Sequence, residues 1–483
     1  VDHSPDNIEW RDGMLEPVVD DAELDDRIDA LHAHGPGTDE HLMGDLLGYW
    51  RRERRVVAAD CLRLSMADDH DQLESLGAIA SVSFVGFEDR YSDKTGKKLK
   101  WPVAVFSFPP QPLSPDIEPG EKMIQALNEQ RWAFFSLAAI DRDTGTFEVS
   151  WNQAMIDQGV TPTSLVHFAN FPEGAKLVAL CDLADQMLDG DTTAVGHAIL
   201  RNDPARFLRG EGPEGGRFVG DFEDICAWAP HLDNSFVPIQ GPPGTGKTFT
   251  GAHVIRTLVN AGKRVGVTAM SHHAIDNLME AVVERFAAEG DDLRAVRKAK
   301  GGSVEAVAYI DDNAKCATGA YDVIAGTSWL FASQAMRDNP VDVLVVDEAG
   351  QLGLADTLAA SISASNVLLL GDPQQLPQVA QASHPNRSGV SALEHLLGED
   401  ERTFPPDRGV LLETTWRMHP DVCEFISDVI YEGKLTSEPS CHGQTTSAGT
   451  GLRWIRARHI GHTTESPEEA ALVVNTIAEL IGT

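Results

Sequence analysis

The stretch Ile239-Gln240-Gly241-Pro242-Pro243-Gly244-Thr245-Gly246-Lys247-Thr248 decides the fold. It fits G-x-x-x-x-G-K-[ST], in which glycines let successive backbone N–H groups turn inward around phosphates and the following helix adds the partial positive charge of its N-terminus. Gly241, Pro242, Pro243, Gly244, Thr245 and Gly246 are expected to form the cradle. Lys247 is expected to reach the β and γ phosphates of ATP, and Thr248 to hold Mg2+. Ser235 to Gln240 is a short apolar run suited to a buried parallel strand, and Thr248 to Ala261 has helical character. An ordinary glycine-rich turn explains neither flank.

Two further apolar runs follow in order. Val343-Leu344-Val345-Val346 ends in the carboxylates Asp347 and Glu348, and Val367-Leu368-Leu369-Leu370 ends in Gly371-Asp372-Pro373-Gln374-Gln375-Leu376-Pro377. Open α/β sheets put their chemistry at strand ends. Asp347 is expected to bind Mg2+, directly or through water, and Glu348 to polarise the attacking water. Gln375 suits a sensor of the γ phosphate, because an amide hydrogen-bonds both phosphate and water without adding charge. In isolation the Asp-Glu pair reads as a solvated strand end and the glutamines as an exposed loop. Their order behind a phosphate loop reverses both readings. The fold class expected is α/β, a RecA-like P-loop core whose parallel sheet is flanked by helices.

The succession QGPPGTGKT, VTAMSHHAIDNL, DVIAGTS, VVDEAGQ, LLLGDPQQLPQV and LLETTWRMHP, in register over residues 236 to 435, resembles the superfamily 1 helicases of the nonsense-mediated-decay and senataxin-like group. Leu46 to Glu53, Phe106 to Gln111 and Gly266 to His272 are similar to bacterial proteins that join a RecB-like nuclease to such a helicase. The resemblance implies single-stranded nucleic acid as partner, contacted by Thr268, Ser271 and Thr327 through hydroxyl and main-chain groups. For His272 and His273 a strand contact and an idle exposed loop are equally open. Arg417 matches the arginine finger that the second core domain offers to the γ phosphate, its forked donors suiting the spreading charge of the transition state. Trp416 stands where a tyrosine usually stacks on adenine, and indole offers a larger face.

There are departures from that pattern. Where the family has a Leu-Asn-x-x-Gln element whose glutamine reads adenine, this chain has Asp221-Phe222-Glu223-Asp224-Ile225-Cys226. A Gln-Gly-x-Glu element and a second arginine are missing, and Val1 is not an initiator methionine. The chain is therefore expected to be an excerpt of a longer protein, and the resemblance implies a nuclease upstream of it.

The length, 483 residues, accommodates three or more domains. The expected division is an acidic helical segment at 1–70, a small β-rich, barrel-like accessory domain at 71–172 built from short alternating runs, and a helical linker at 173–230. The first RecA-like ATPase domain is expected at 231–400 and the start of a second at 401–483, the less stable half. No internal repeat or membrane-length apolar run is visible.

Net charge is −35, from 74 acidic and 39 basic residues, with the acidity heaviest in the first fifty positions. Such a field slows encounter with nucleic acid. The motif set outweighs it, because a helicase groove is local and relies on hydroxyl and backbone contacts. A salt-rich cytoplasm and an ordinary acidic protein both account for the balance. Six scattered cysteines without a Cys-x-x-Cys pair fit reduced thiols and a cytoplasmic location. The basic run Arg294 to Lys300 reads as a solvated face rather than a nucleic-acid contact. The function expected is an ATP-dependent helicase or translocase on single-stranded DNA. An RNA helicase, and a nucleotide-gated binding module without unwinding, are the alternatives.

Overall fold

The computed structural model describes residues 19–91, 96–128, 131–168, 174–462 and 465–481. Positions 1–18 of the acidic segment lie outside these. The chain divides into two compact units. One holds Gly48–Gly174 with Val1–Asp21 and Ala380–His384, and the other holds Ala22–Leu47, Ala175–Val379 and Pro385–Thr483.

The larger unit is built on an eight-stranded sheet, ordered Val307–Tyr309, Ala295–Arg297, Val323–Ala325, Val265–Ala269, Val341–Asp347, Ala364–Gly371, Phe236–Gln240, Val410–Leu411. Every neighbouring pair is parallel. Parallel sheets need cover on both faces, which is why the central strands are mostly apolar and fully buried. One face carries Lys247–Asn260 and His272–Glu289, whose Ile255, Leu258, Leu278 and Val282 pack on Val237, Val267, Val345 and Leu368. On the opposite face Phe331 presses against Gly266, where an added Cβ would lie 2.6 Å from its ring. The helix His272–Glu289 starts where Ser271 Oγ accepts from the Ala274 N–H and stops at Gly290, whose φ of +74° ends the hydrogen-bond ladder. Val410–Leu411 joins the edge beside the phosphate-loop strand, so this sheet runs past the 400/401 boundary read from sequence.

Beyond that edge strand lies a βαβ unit. Thr414–Thr415 pairs in parallel with Thr436–Ser437 across the helix Pro420–Ile430, around a small core of Cys423, Tyr431 and Leu435. The helix Pro467–Ile481 buries none of its residues and leaves Val473, Val474, Ile477 and Ile481 exposed.

The smaller unit is a seven-stranded sheet ordered Ala78–Ile79, Leu165–His167, Lys122–Asn128, Arg131–Asp141, Thr146–Ser150, Val103–Ser107, Ser83–Glu88, over a core that includes Phe106, Phe135 and Phe147. The β-rich character follows from the alternation in these runs. Ala78–Ile79 and Ser83–Glu88 stand at the two ends of this order with no ladder between them among the described residues, yet only three residues separate them in the chain, and the Val82 N–H there donates to the Thr163 carbonyl at 2.8 Å.

Candidate active site

The phosphate loop leaves the sheet at Gln240 and enters the helix Lys247–Asn260. The Gly241 N–H donates to the Gly371 carbonyl at 2.8 Å, and Thr245 Oγ1 donates to the Pro242 carbonyl at 2.7 Å, so the loop is held before any ligand arrives. Lys247 folds back and donates to the Gly241 carbonyl at 3.0 Å. Gly241 is required by that path, because a Cβ there would sit 2.2 Å from Lys247 Cγ. Thr248 is exposed at the first turn of the helix.

The two carboxylates end the neighbouring strand. Asp347 is 5% exposed, and burial, reinforced by the adjacent Glu348 charge, pushes its carboxyl up to about 6 against the pull of the Glu348 N–H and of Lys247. Glu348, half-buried, holds φ at +51°, a left-handed conformation uncommon for a residue with a side chain. The Ala349 N–H then donates to the Leu370 carbonyl at 2.8 Å, fixing this turn to the strand that delivers Gln375. A divalent cation fits the donor set of Thr248 hydroxyl and Asp347 carboxylate, both hard oxygens.

Gln375 is half-buried in the turn after Asp372, its N–H donating to the Asp372 carbonyl at 3.2 Å. Two buried groups not anticipated from sequence organise this turn. Gln240 donates to Asp372 Oδ1 at 3.3 Å and to the Arg402 carbonyl at 3.1 Å, and accepts from the Phe404 N–H at 3.0 Å. Tyr431, from the end of the Pro420–Ile430 helix, donates to Asp372 Oδ2. A glutamine closing an apolar strand run was the available signal for the first. Tyr431 carried none.

Trp416 and Arg417 lie against the loop. The Trp416 N–H donates to the Gly244 carbonyl at 2.8 Å, and Thr415 Oγ1 donates to the Pro243 carbonyl at 2.9 Å. Gly244, with φ +80°, lets Arg417 approach: a Cβ there would be 2.4 Å from Arg417 Cβ. The Trp416 ring is 64% exposed and both its face and the Arg417 guanidinium are open to a ligand. Phe222, from the segment that departs from the adenine-reading element, packs edge-on against Phe249 at 5.3 Å.

The residues expected to touch a strand separate. Ser271 is exposed at the start of its helix, and Thr327 precedes Ser328–Phe331 without making a capping bond, so its hydroxyl is available. Thr268 is fully buried, with Oγ1 lacking a hydrogen-bond partner; its side chain points into the layer that holds Phe331 and offers no surface to a strand. His272 is exposed, but Arg297 fixes it: Arg297 Nη2 donates to His272 Nδ1 at 2.7 Å, and Nε donates to Asp276 Oδ1 at 2.9 Å. Arg297 is 1% exposed, so the basic run is not a solvated face at this position. Arg294 and Lys298 pair with Asp322 and Asp311. His273 is exposed and faces Asn277, 3.3 Å away.

Residues 225–381 match one AAA domain family and residues 389–481 a second AAA domain family. The chain carries a P-loop, AAA-type helicase domain. It is 28% identical over 263 residues to the DNA replication ATP-dependent helicase/nuclease dna2 of Schizosaccharomyces pombe, covering 52% of this chain and 18% of that protein. It is 25% identical over 260 residues to the DNA-binding protein SMUBP-2 of Mesocricetus auratus, covering 42% and 26%. A third relative, the DNA polymerase alpha-associated DNA helicase A of Schizosaccharomyces pombe, is 25% identical over 248 residues, covering 41% and 36%. The helicase domain thus spans a minor part of each relative's length. No helix among the described residues is long and apolar enough to cross a membrane.

Proposed function

We propose that this helicase domain is an ATP-driven translocase on single-stranded DNA, the motor part of a nuclease–helicase protein of the nonsense-mediated-decay and senataxin-like group, working in the cytoplasm. The observation that supports the reading most is the Trp416–Gly244 hydrogen bond. It brings an arginine from the βαβ unit to the phosphate loop at the sheet edge where Asp347 and Glu348 end a strand.

In this reading Gly241 to Thr248 cradle the phosphates, Lys247 neutralises charge on the β and γ groups, and Thr248 with Asp347 would hold Mg2+, which would supply charge neutralisation during phosphoryl transfer. Glu348 orients and deprotonates the water, Gln375 reports the γ phosphate, Arg417 completes the transition-state clamp and Trp416 stacks on the base. Ser271 and Thr327 follow the strand along the same sheet edge with neutral hydroxyls, beside the imidazole of His272, in keeping with a chain of net charge −35.

Nucleotide binding and turnover measured on two variants test the assignment. Lys247→Ala should lose nucleotide affinity, whereas Glu348→Gln should keep it and lose turnover by about two orders of magnitude or more. Wild-type turnover in Glu348→Gln would remove the catalytic base from the scheme. Competition between DNA and RNA oligonucleotides of one sequence decides the strand, because only RNA presents a 2′-hydroxyl.

A further inference from the structure

Away from the ATPase site, a second cluster of ligating side chains lies at the turn between two helices. His32 ends the helix Asp21–His32, and His41 and Asp45 stand four residues apart on the helix Asp39–Leu47, hence on one face and one turn from each other. Gly35 and Gly37, with φ of +92° and +85°, reverse the chain between the helices. Gly44 makes room for the first imidazole: a Cβ there would lie 2.6 Å from His32 Cδ2.

Asp45 is 5% exposed. Its Oδ1 lies 3.2 Å from His32 Nε2, and its Oδ2 accepts from Asn386 Nδ2 at 2.8 Å, so the carboxylate is oriented from behind by an amide, as the carboxylates of metal sites commonly are. His32 Nε2 and His41 Nδ1 are buried ring nitrogens without a hydrogen bond, although the first lies 3.2 Å from Asp45 Oδ1. Buried polar atoms left unpartnered are rare in folded proteins and each needs a reason. One donor atom from each of the three residues lies within 4.8 Å of those from the other two.

We propose that His32, His41 and Asp45 bind a divalent transition-metal ion of the zinc class. Two imidazoles and one carboxylate suit zinc, cobalt or nickel, whereas magnesium and calcium prefer oxygen donors alone. The rings are stacked at 4.2 Å with 25° between their planes, so one imidazole must turn for both nitrogens to face the ion; the partly exposed edge of His32 leaves room. Three protein ligands leave the fourth position to water. The ion would pin the end of the first helix to the face of the second.

The test is metal binding by the whole chain, freed of metal with a chelator and titrated with Co2+ and then Zn2+ without nucleotide. Cobalt absorption distinguishes nitrogen and oxygen ligands from the six thiols. The wild type should take one equivalent with no thiolate band. His41→Gln and Asp45→Asn should each weaken it by about tenfold or more and lose the zinc-dependent rise in Tm, while keeping Mg2+-dependent ATP turnover as the sign of an intact fold. Equal binding by wild type and both variants would overturn the proposal. So would absence of binding by the wild type, or a thiolate spectrum. The Mg2+ site is separated from this one by the variants, which leave Thr248 and Asp347 untouched.

Discussion

The Tyr431 hydroxyl donates a 2.6 Å hydrogen bond to Asp372 Oδ2. Burial, then the bond itself, pushes the phenol's pKa upward, so Tyr431 stays protonated and remains the donor. Asp372 is 1% exposed and its other oxygen accepts from Gln240 Nε2 at 3.3 Å and the Gln374 N–H at 3.1 Å. The helix of the βαβ unit is therefore tied to the turn that carries Gln375. Tyr431→Phe leaves a buried carboxylate oxygen unsatisfied and should cost about 1–3 kcal/mol in chemical denaturation. Turnover should fall with nucleotide affinity kept. An unchanged unfolding midpoint would show that this bond holds nothing together.

Arg297 can only donate hydrogen bonds, so its bond to His272 Nδ1 assigns that nitrogen as the acceptor and places the imidazole proton on Nε2. His272 then presents its Nε2–H at the exposed start of its helix. His272→Ala should weaken binding of single-stranded DNA by about 1 kcal/mol while leaving the slope of log affinity against log salt unchanged. A slope lower by about 1 would mean a charged phosphate contact instead.

Gly244 is the closest approach between the phosphate loop and the arginine segment. Alanine there meets both left-handed backbone strain, about 1–2 kcal/mol, and Arg417 Cβ at 2.4 Å. Gly244→Ala should therefore lower kcat about tenfold or more, with a smaller change in nucleotide Kd. Equal losses in both would mean that the glycine serves phosphate binding alone.

Asp347 is pushed from its ordinary 3.8 up to about 6 in the folded chain, so the folded form holds the proton more tightly than the unfolded one. The ionised carboxylate therefore destabilises the metal-free protein, fully at pH above about 6, and this penalty disappears as pH falls to the unfolded value. Asp347→Asn should stabilise the metal-free protein near neutral pH by roughly 3 kcal/mol and by little below pH 4. It should also abolish Mg2+-dependent turnover. In the wild type, more Mg2+ should be needed for turnover as pH drops below about 6, since the cation competes with the proton. Thermal unfolding across pH, with and without the substitution, measures the first effect.

The ATPase sheet and its strand ends were legible because their signals are local. Gly241 to Thr248 is contiguous, and Asp347 and Gln375 each follow an apolar run that only a buried parallel strand explains. The pairing of Trp416 with Gly244 was not legible in the same way, since it is a bond between two main chains and no residue type marks it. Arg297 was misread because its partners, Asp276 and His272, lie a whole helix away in sequence. Thr268 misled for another reason: it sits at the right end of its strand, but both faces of the sheet are covered there and every residue of that strand is buried. In the smaller unit the alternation identified strands without fixing how their edges meet.

The most direct measurement is ATP turnover with and without single-stranded DNA, made on this chain and on its Arg417→Ala counterpart side by side. The account predicts stimulation by DNA, and loss of the stimulated rate by about three orders of magnitude when Arg417 is removed. Turnover indifferent to DNA and RNA in both proteins, and unaffected by Arg417→Ala, would contradict it and leave a nucleotide-gated binding module in its place.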